Sequence, residues 1–410
     1  MKKNEKKRLI SCSICNFNKA GNLLKLNCGN LDDSPLYQIL KIQACKKCGH
    51  IYNFLSSADK KGLVKYYNQE YTPLNLGSTD KLGDRPGSAN PLTLKRHSQL
   101  YNLISPYIDK HSRVLDIGCA MGGFLDYLHK QGLRKLYGID IVENYVNKAE
   151  KKKNYQIKLG SAESIPFGKN SFDLLIMDQV MEHLIEPAKA FKEAKRVLTN
   201  NGLFCIGVPD ASKYDEIYFF DFYWFLMREH LQHFDVQHLQ LLGASQGFEL
   251  VKFNQTQTPM VNETMILPNL NIVFRLKNKT NNLKITTTHF DLRTIIKKYV
   301  KNNLTKLKQK QKIIKKLIAS QQPLYVWGIG REFLYLYQSA GLKNCNIVGL
   351  IDTNPYKQKS FSVAGKKISH ESILKKAKPN SAIIISAIAH QLAIKKTLNK
   401  IDYRGQIIEI

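Results

Sequence analysis

Residues 114–125 read Val-Leu-Asp-Ile-Gly-Cys-Ala-Met-Gly-Gly-Phe-Leu. The aliphatic opening predicts a buried strand that ends at Asp116. Gly118 and Gly122 then turn the chain into an apolar helix, since glycine lets the backbone approach a ligand with no Cβ in the way. A second apolar run, Leu136-Tyr-Gly-Ile-Asp140, closes on an acid 22 positions after Gly118. Strand, glycine turn, helix, strand and acid in that order make a unit able to hold a nucleoside. Asp140 would take both ribose hydroxyls, and Ile141 beside it is a further candidate contact.

A dinucleotide site needs Gly-x-Gly-x-x-Gly, with a helix start aimed at the pyrophosphate. Here the turn reads Asp116-x-Gly118-x-Ala120-x-Gly122. The leading carboxylate would repel a diphosphate and suits an ammonium or sulfonium group, so S-adenosylmethionine is favoured over NAD. In these residues the chain resembles the class I S-adenosylmethionine-dependent methyltransferases, whose turn is Asp/Glu-x-Gly-x-Gly-x-Gly, with Ala120 replacing the middle glycine. Gly160–Phe167, Ser171–Asp178, Gln179–Leu184 and Arg196–Pro209 resemble the same family in order and spacing. The resemblance implies a Rossmann-like α/β core. It implies that Ala162 and Glu163 meet the adenine amino group, and that Asp178 ends the fourth strand beside the cofactor. His183, among apolar neighbours, reads as a packing residue.

The chain has 410 residues, 43% of them hydrophobic, enough for two to four packed domains. No apolar run approaches the 18 residues of a membrane span, and the charged start, Lys2 to Arg8, has no apolar signal region after it. A cytoplasmic protein is expected. The net charge of +29 suits nucleic acid, an acidic membrane surface or a phosphate-bearing substrate, though lysine spread along the whole chain is also an ordinary solvated surface.

Cys12-Ser-Ile-Cys15 and Cys45-Lys-Lys-Cys48 are two Cys-x-x-Cys pairs separated by 29 residues. In a reducing compartment such pairs read as metal ligands, and together they complete a closed, structural tetrahedral Zn2+ site. Cys28 and His50 are less regular substitutes. Apolar runs between the pairs predict strands. Residues 77–91 form a Gly/Pro/Ser-rich loop, read as a linker or a lid. Residues 210–265 are too irregular for a plain continuation of the sheet.

From Arg275 to Lys316 there are fourteen Lys or Arg and one acid, Asp291. Ile295, Ile296, Tyr299, Val300, Leu304, Leu307, Ile314 and Leu317 recur at helical spacing, which predicts a long basic amphipathic helix. After Pro323, Leu324–Phe333 and Ile347–Asp352 repeat a strand–glycine–helix–strand–acid order. Phe333 stands where the third dinucleotide glycine would be, so NAD binding is not expected there.

The expected architecture is α/β: a zinc-binding module (1–75), a Rossmann-like methyltransferase core (76–265), a basic helical linker (266–320) and a second, C-terminal Rossmann-like domain (321–410). That order resembles the bacterial nucleotide-sugar C-methyltransferases, through Cys45-Lys-Lys-Cys48-Gly49, Tyr66-Tyr67-Asn-Gln-Glu-Tyr71 and Asp352-Thr-Asn-Pro-Tyr-Lys-Gln358 as well as the core. The resemblance implies that His230, in Glu229-His230-Leu231, is a general base assisted by Glu229, and that the acceptor is a nucleotide sugar or related glycan precursor. The family places a tyrosine three positions before the histidine; this chain has Met227, which leaves C- and O-methylation both open. The alternative is an RNA methyltransferase with a zinc-binding recognition module. The second α/β unit, and the lack of basic motifs interleaved with aromatics, weigh against a nucleic-acid partner.

Overall fold

The computed structural model describes residues 11–76, 91–149, 154–216, 223–260, 265–277 and 291–410. Residues 77–90 of the expected linker or lid lie outside them. Three sheets organise the rest.

The first is antiparallel: β1 (Ala20–Asn27), β2 (Ile39–Cys45) and β3 (Ile51–Asn53), completed by β9 (Gln232–His233), which arrives from far along the chain. Helices α1 (Ser57–Gln69), α2 (Tyr71–Leu76) and α3 (Pro91–Ile104) follow the first three strands. A capping box starts α1: Ser56 accepts from the Asp59 N–H while Asp59 accepts from the Ser56 N–H.

The central sheet runs β10-β11-β8-β7-β4-β5-β6. Its strands are β4 (Arg113–Ile117), β5 (Lys135–Asp140), β6 (Gln156–Leu159), β7 (Phe172–Asp178), β8 (Leu198–Pro209), β10 (Phe248–Met260) and β11 (Met265–Leu276). The five strands from β8 to β6 are parallel. Their near-continuous Val, Ile and Leu runs suit a sheet covered on both faces, here by α3, α4 (Gly123–Lys130), α5 (Glu143–Ala149), α6 (Pro187–Val197) and α7 (Val236–Ser245).

Two expectations need correction. The sheet does continue past residue 210: β10 and β11 are a long antiparallel hairpin added at its edge. The run Asn254-Gln-Thr-Gln-Thr258 hides this, because β10 is an edge strand whose half-exposed face needs no apolar alternation. Residues 265–276 are therefore sheet rather than linker. The basic helix α8 starts at Leu292 and ends at Ser320, capped by Asp291. Its buried stripe is Leu292, Ile296, Tyr299, Asn303, Leu307, Ile314 and Leu317. Leu304 is exposed and polar Asn303 is buried in its place. The Asn303 amide accepts from the Tyr223 N–H and donates to the Tyr299 carbonyl, so its burial costs no hydrogen bond.

The third sheet runs β14-β15-β13-β12-β16-β17 and comprises β12 (Leu324–Trp327), β13 (Ile347–Ile351), β14 (Ser362–Val363), β15 (Lys366–Ser369), β16 (Ala382–Ile385) and β17 (Gln406–Glu409). All its ladders but β14–β15 are parallel. Helices α9 (Arg331–Ser339), α10 (Pro355–Ser360) and α11 (Gln391–Lys400) accompany it. It packs on the N-terminal module. The Tyr335 hydroxyl lies 3.2 Å from Cys28 Sγ, and Asp32 accepts from Ser362, Ala364 and Gly365.

Candidate functional site

The glycine turn has the geometry its sequence predicts. Gly118, Ala120 and Gly122 have φ of +78°, +46° and +77°. A Cβ on Gly118 would collide with Val180, and one on Gly122 with the Tyr155 hydroxyl. Asp140 stands at the end of β5 and braces the turn. Its Oδ2 accepts from the Ala120 N–H at 2.8 Å and its Oδ1 from Val142 N–H at 2.9 Å. Ile141 next to it is half exposed, an apolar surface at the mouth of the turn.

Asp116 lies at the end of β4 and is buried. Burial, with Asp178 and Asp140 nearby, pushes its carboxyl up to about 8, against the opposing pull of Arg96. Such a group is relieved by a cation, and the ammonium of a methionine moiety supplies one. Asp178 ends β7, paired with Arg96 at 3.2 Å. Ala162 is buried and Glu163 half-buried on the loop after β6, and burial raises the Glu163 carboxyl. A glycine cradle, an acid at each of three strand ends and an apolar rim fit S-adenosylmethionine. The expected cofactor residues are thus brought to one edge of one sheet.

His230 and Glu229 reach the same edge from the segment before β9. Leu231 N–H donates to the Glu182 carbonyl at 2.7 Å, and the Gln232 amide donates to the Leu184 carbonyl at 3.1 Å. These bonds fasten the segment to the 3-10 turn Met181–His183, three residues past the end of β7. His183 packs edge-on against His230, with ring centroids 5.0 Å apart. His183 Nδ1 is 2.9 Å from the Glu229 carbonyl and 3.1 Å from the Tyr67 hydroxyl. A carbonyl only accepts, so Nδ1 carries the hydrogen and Nε2 is left basic. The same reasoning leaves His230 Nε2 basic, since its Nδ1 faces the Phe225 carbonyl at 3.3 Å.

Sequence reasoning also passed over Glu182 and Tyr66. Glu182 is 2% exposed, neither carboxylate oxygen finds a hydrogen bond among the described residues, and burial pushes it up to about 8. Glu229 Oε1 accepts from the Tyr66 hydroxyl at 2.8 Å. The one available signal was positional: Glu182-His183 follows the strand-end acid Asp178, where a ligand approaches an open parallel sheet. Burial, then His183 and His233, hold the His230 imidazole well below its ordinary value.

The four cysteines of the N-terminal module converge. Cys12 Sγ–Cys48 Sγ and Cys15 Sγ–Cys45 Sγ are each 3.6 Å, and all four sulfurs lie within 4.8 Å of one another. Zn–S bonds of about 2.3 Å in a tetrahedron require sulfur separations of about 3.8 Å, so the group could hold such an ion. Cys28 and His50 are not part of it: Cys28 meets Tyr335, and His50 Nε2 donates to Gln232.

In the third sheet, Asp352 repeats the bracing seen at Asp140. Its Oδ2 accepts from the Ile329 N–H in the Gly328–Gly330 turn and its Oδ1 from Asn354 N–H, each at 2.9 Å. Here Lys357 Nζ also binds the acid, at 2.8 Å. Arg331, just after the turn, stacks its guanidinium 4.4 Å above the Trp224 ring. Among the described residues no helix is long and apolar enough to cross a membrane.

A family profile described as a methyltransferase domain matches residues 93–252. An uncharacterized methyltransferase of Schizosaccharomyces pombe is 32% identical over 120 residues, 25% of this chain and 42% of that protein. The ubiquinone/menaquinone biosynthesis C-methyltransferase UbiE of Rickettsia felis is 34% identical over 128 residues, 28% of this chain and 50% of its own. The chain spans half or less of the length of these curated relatives. An S-adenosylmethionine-dependent methyltransferase structure from Methanosarcina mazei aligns with TM-score 0.38 and 21% identity, over 44% of this chain and 99% of that one. The matched region takes in the glycine turn, the strand-end acids Asp116, Asp140 and Asp178, and the turn that bears His183. Residues 93–252 are therefore similar to a methyltransferase domain.

Proposed function

We propose that the whole chain is a methyltransferase acting on a small-molecule acceptor, a nucleotide-linked sugar or related glycan precursor, with His230 as general base. One observation carries this reading. Val180 abuts the Gly118 turn on one side, and the turn it opens holds His183, Glu182 and the His230 segment on the other. Cofactor cradle and imidazoles are thereby neighbours.

When bound, S-adenosylmethionine supplies a methyl group on a sulfonium, ready for in-line substitution. The protein's share is alignment and proton removal. His230 takes the acceptor's proton at Nε2; Glu229, fixed by Tyr66, sets the backbone carbonyl that orients His183. The C-terminal sheet is read as a second Rossmann-like unit. Lys357 already satisfies Asp352, which speaks against a cofactor ribose in that unit. C- and O-transfer both remain consistent with this geometry.

The test is incubation of purified protein with labelled S-adenosylmethionine and separate pools of nucleotide sugars and RNA. Label in a nucleotide sugar supports the reading; label in RNA overturns it. His230→Ala should lower turnover ~100- to 10,000-fold, the range for loss of a general base, while cofactor affinity stays near that of the wild type. We further infer one structural zinc ion per chain on Cys12, Cys15, Cys45 and Cys48.

A further inference from the structure

The fourth strand of the cysteine module's sheet is β9, and β9 begins two residues after His230. Strand β3 pairs with it in the register Tyr52–Gln232 and Ile51–His233. Two side chains make the junction specific.

Gln232 is 6% exposed. Its Oε1 accepts from Ser13 Oγ at 3.0 Å, inside the Cys12–Cys15 loop, and from His50 Nε2 at 2.9 Å, two residues beyond Cys48. Its amide group donates to the Leu184 carbonyl, next to His183. A single side chain therefore touches both cysteine loops and the turn that carries His183. Asn53, at the end of β3, donates from Nδ2 to the His230 carbonyl at 2.6 Å, and its backbone N–H donates to Leu231 at 2.8 Å. A second tie comes from α7, where His238 Nε2 donates to the Cys48 carbonyl and Nδ1 meets Asp235 at 2.7 Å.

We propose that Gln232 and Asn53 are positioning residues, through which the four-cysteine module sets the placement of His230 and His183. The proposal rests on the catalytic reading of His230 for its consequence on rate, but not for the placement itself. A buried amide held by three hydrogen bonds has one low-energy orientation, because turning it leaves polar groups unpaired. Movement of either cysteine loop must therefore move β9, and with it the preceding histidine.

The experiment uses full-length, metal-loaded protein with its histidine Cε1 carbons labelled, the His230 resonance being assigned by its loss in His230→Gln. Gln232→Leu keeps the volume and removes the three bonds. It should retain one metal ion per chain and cofactor affinity within about twofold. The His230 and His183 resonances should shift, and kcat should fall by up to ~100-fold, the scale of a misplacement of about 1 Å, with cofactor KM unchanged. Gln232→Glu keeps the oxygen that Ser13 and His50 reach, and should recover much of the loss. If Gln232→Leu does not fold, Ser13→Ala removes one bond only and should shift the same resonances less. Chelating the metal from wild-type protein should also displace the His230 resonance. A His230 resonance that stays in place after both substitution and chelation overturns the proposal. If no acceptor is methylated even by wild type, the catalytic reading fails by itself, while the resonances still decide the positioning.

Discussion

Asp140 shows what a single carboxylate does at this site. Its two oxygens already brace the Ala120 and Val142 N–H groups, so it is oriented before any ligand arrives. Charge-assisted bonds to ribose hydroxyls are worth roughly 1.5–3 kcal/mol each. Asp140→Ala should therefore weaken S-adenosylmethionine at least ~10-fold in a calorimetric titration; undiminished affinity would remove Asp140 from the site. Glu182 makes a different prediction. Its carboxyl keeps its proton to about 8 when folded, against 4.5 when unfolded. Between those values the folded state binds more protons, so stability falls as pH rises, by about 1.4 kcal/mol per unit. The buried histidines, with depressed values, act in the opposite sense below 6.5 only. Thermal melts of cofactor-free protein between pH 6.5 and 8 should decline less steeply for Glu182→Gln than for wild type, and equal slopes would contradict the assignment. Asp116, Asp140 and the cysteines were legible as residues because strand ends and short spacings announce them. Glu182 and Tyr66 were not, since Glu182 meets Leu231 through its carbonyl, 49 positions away, and Tyr66 meets Glu229, 163 positions away.

At the scale of elements, the parallel strands were readable from their unbroken aliphatic runs, and α8 from its period. The β10–β11 hairpin was not. An edge strand with Gln and Thr on its open face carries little pattern, and its pairing with β11 decides its state. Leu304 and Asn303 exchanged places for a related reason: periodicity fixes the stripe, but tertiary hydrogen bonds choose which polar residue enters it. The cysteine module yields its own prediction. Elemental analysis should find one zinc per chain, and Cys45→Ser should lose it. Because binding free energy at a structural site is also folding free energy, chelation should melt the β1–β3 region, seen as loss of amide protection there. Retained protection in metal-free protein would contradict a structural role.

Across the whole molecule, one apolar cluster runs through Leu40, Ile42 and Leu63 of the N-terminal part, Tyr223 and Phe225 before His230, Ile296 and Leu307 of α8, and Val326, Phe333 and Leu350 of the third sheet. Parts that share a core do not unfold separately. Calorimetry should show the N-terminal module and the C-terminal unit melting in one transition. Tyr335→Ala, which empties a side chain packed on Tyr223 and Cys28, should lower that transition by ~3 kcal/mol or more, and two resolved transitions in the wild type would refute the coupling. Strand β9 adds a consequence in time. Asn53 leaves the ribosome 180 residues before His233. At about 5–20 residues per second, the nascent first sheet waits on the order of 10–40 s with the edge of β3 unpaired. Throughout that interval the unpaired edge of β3 is open to neighbouring chains, and the strand that closes it is the one that follows His230.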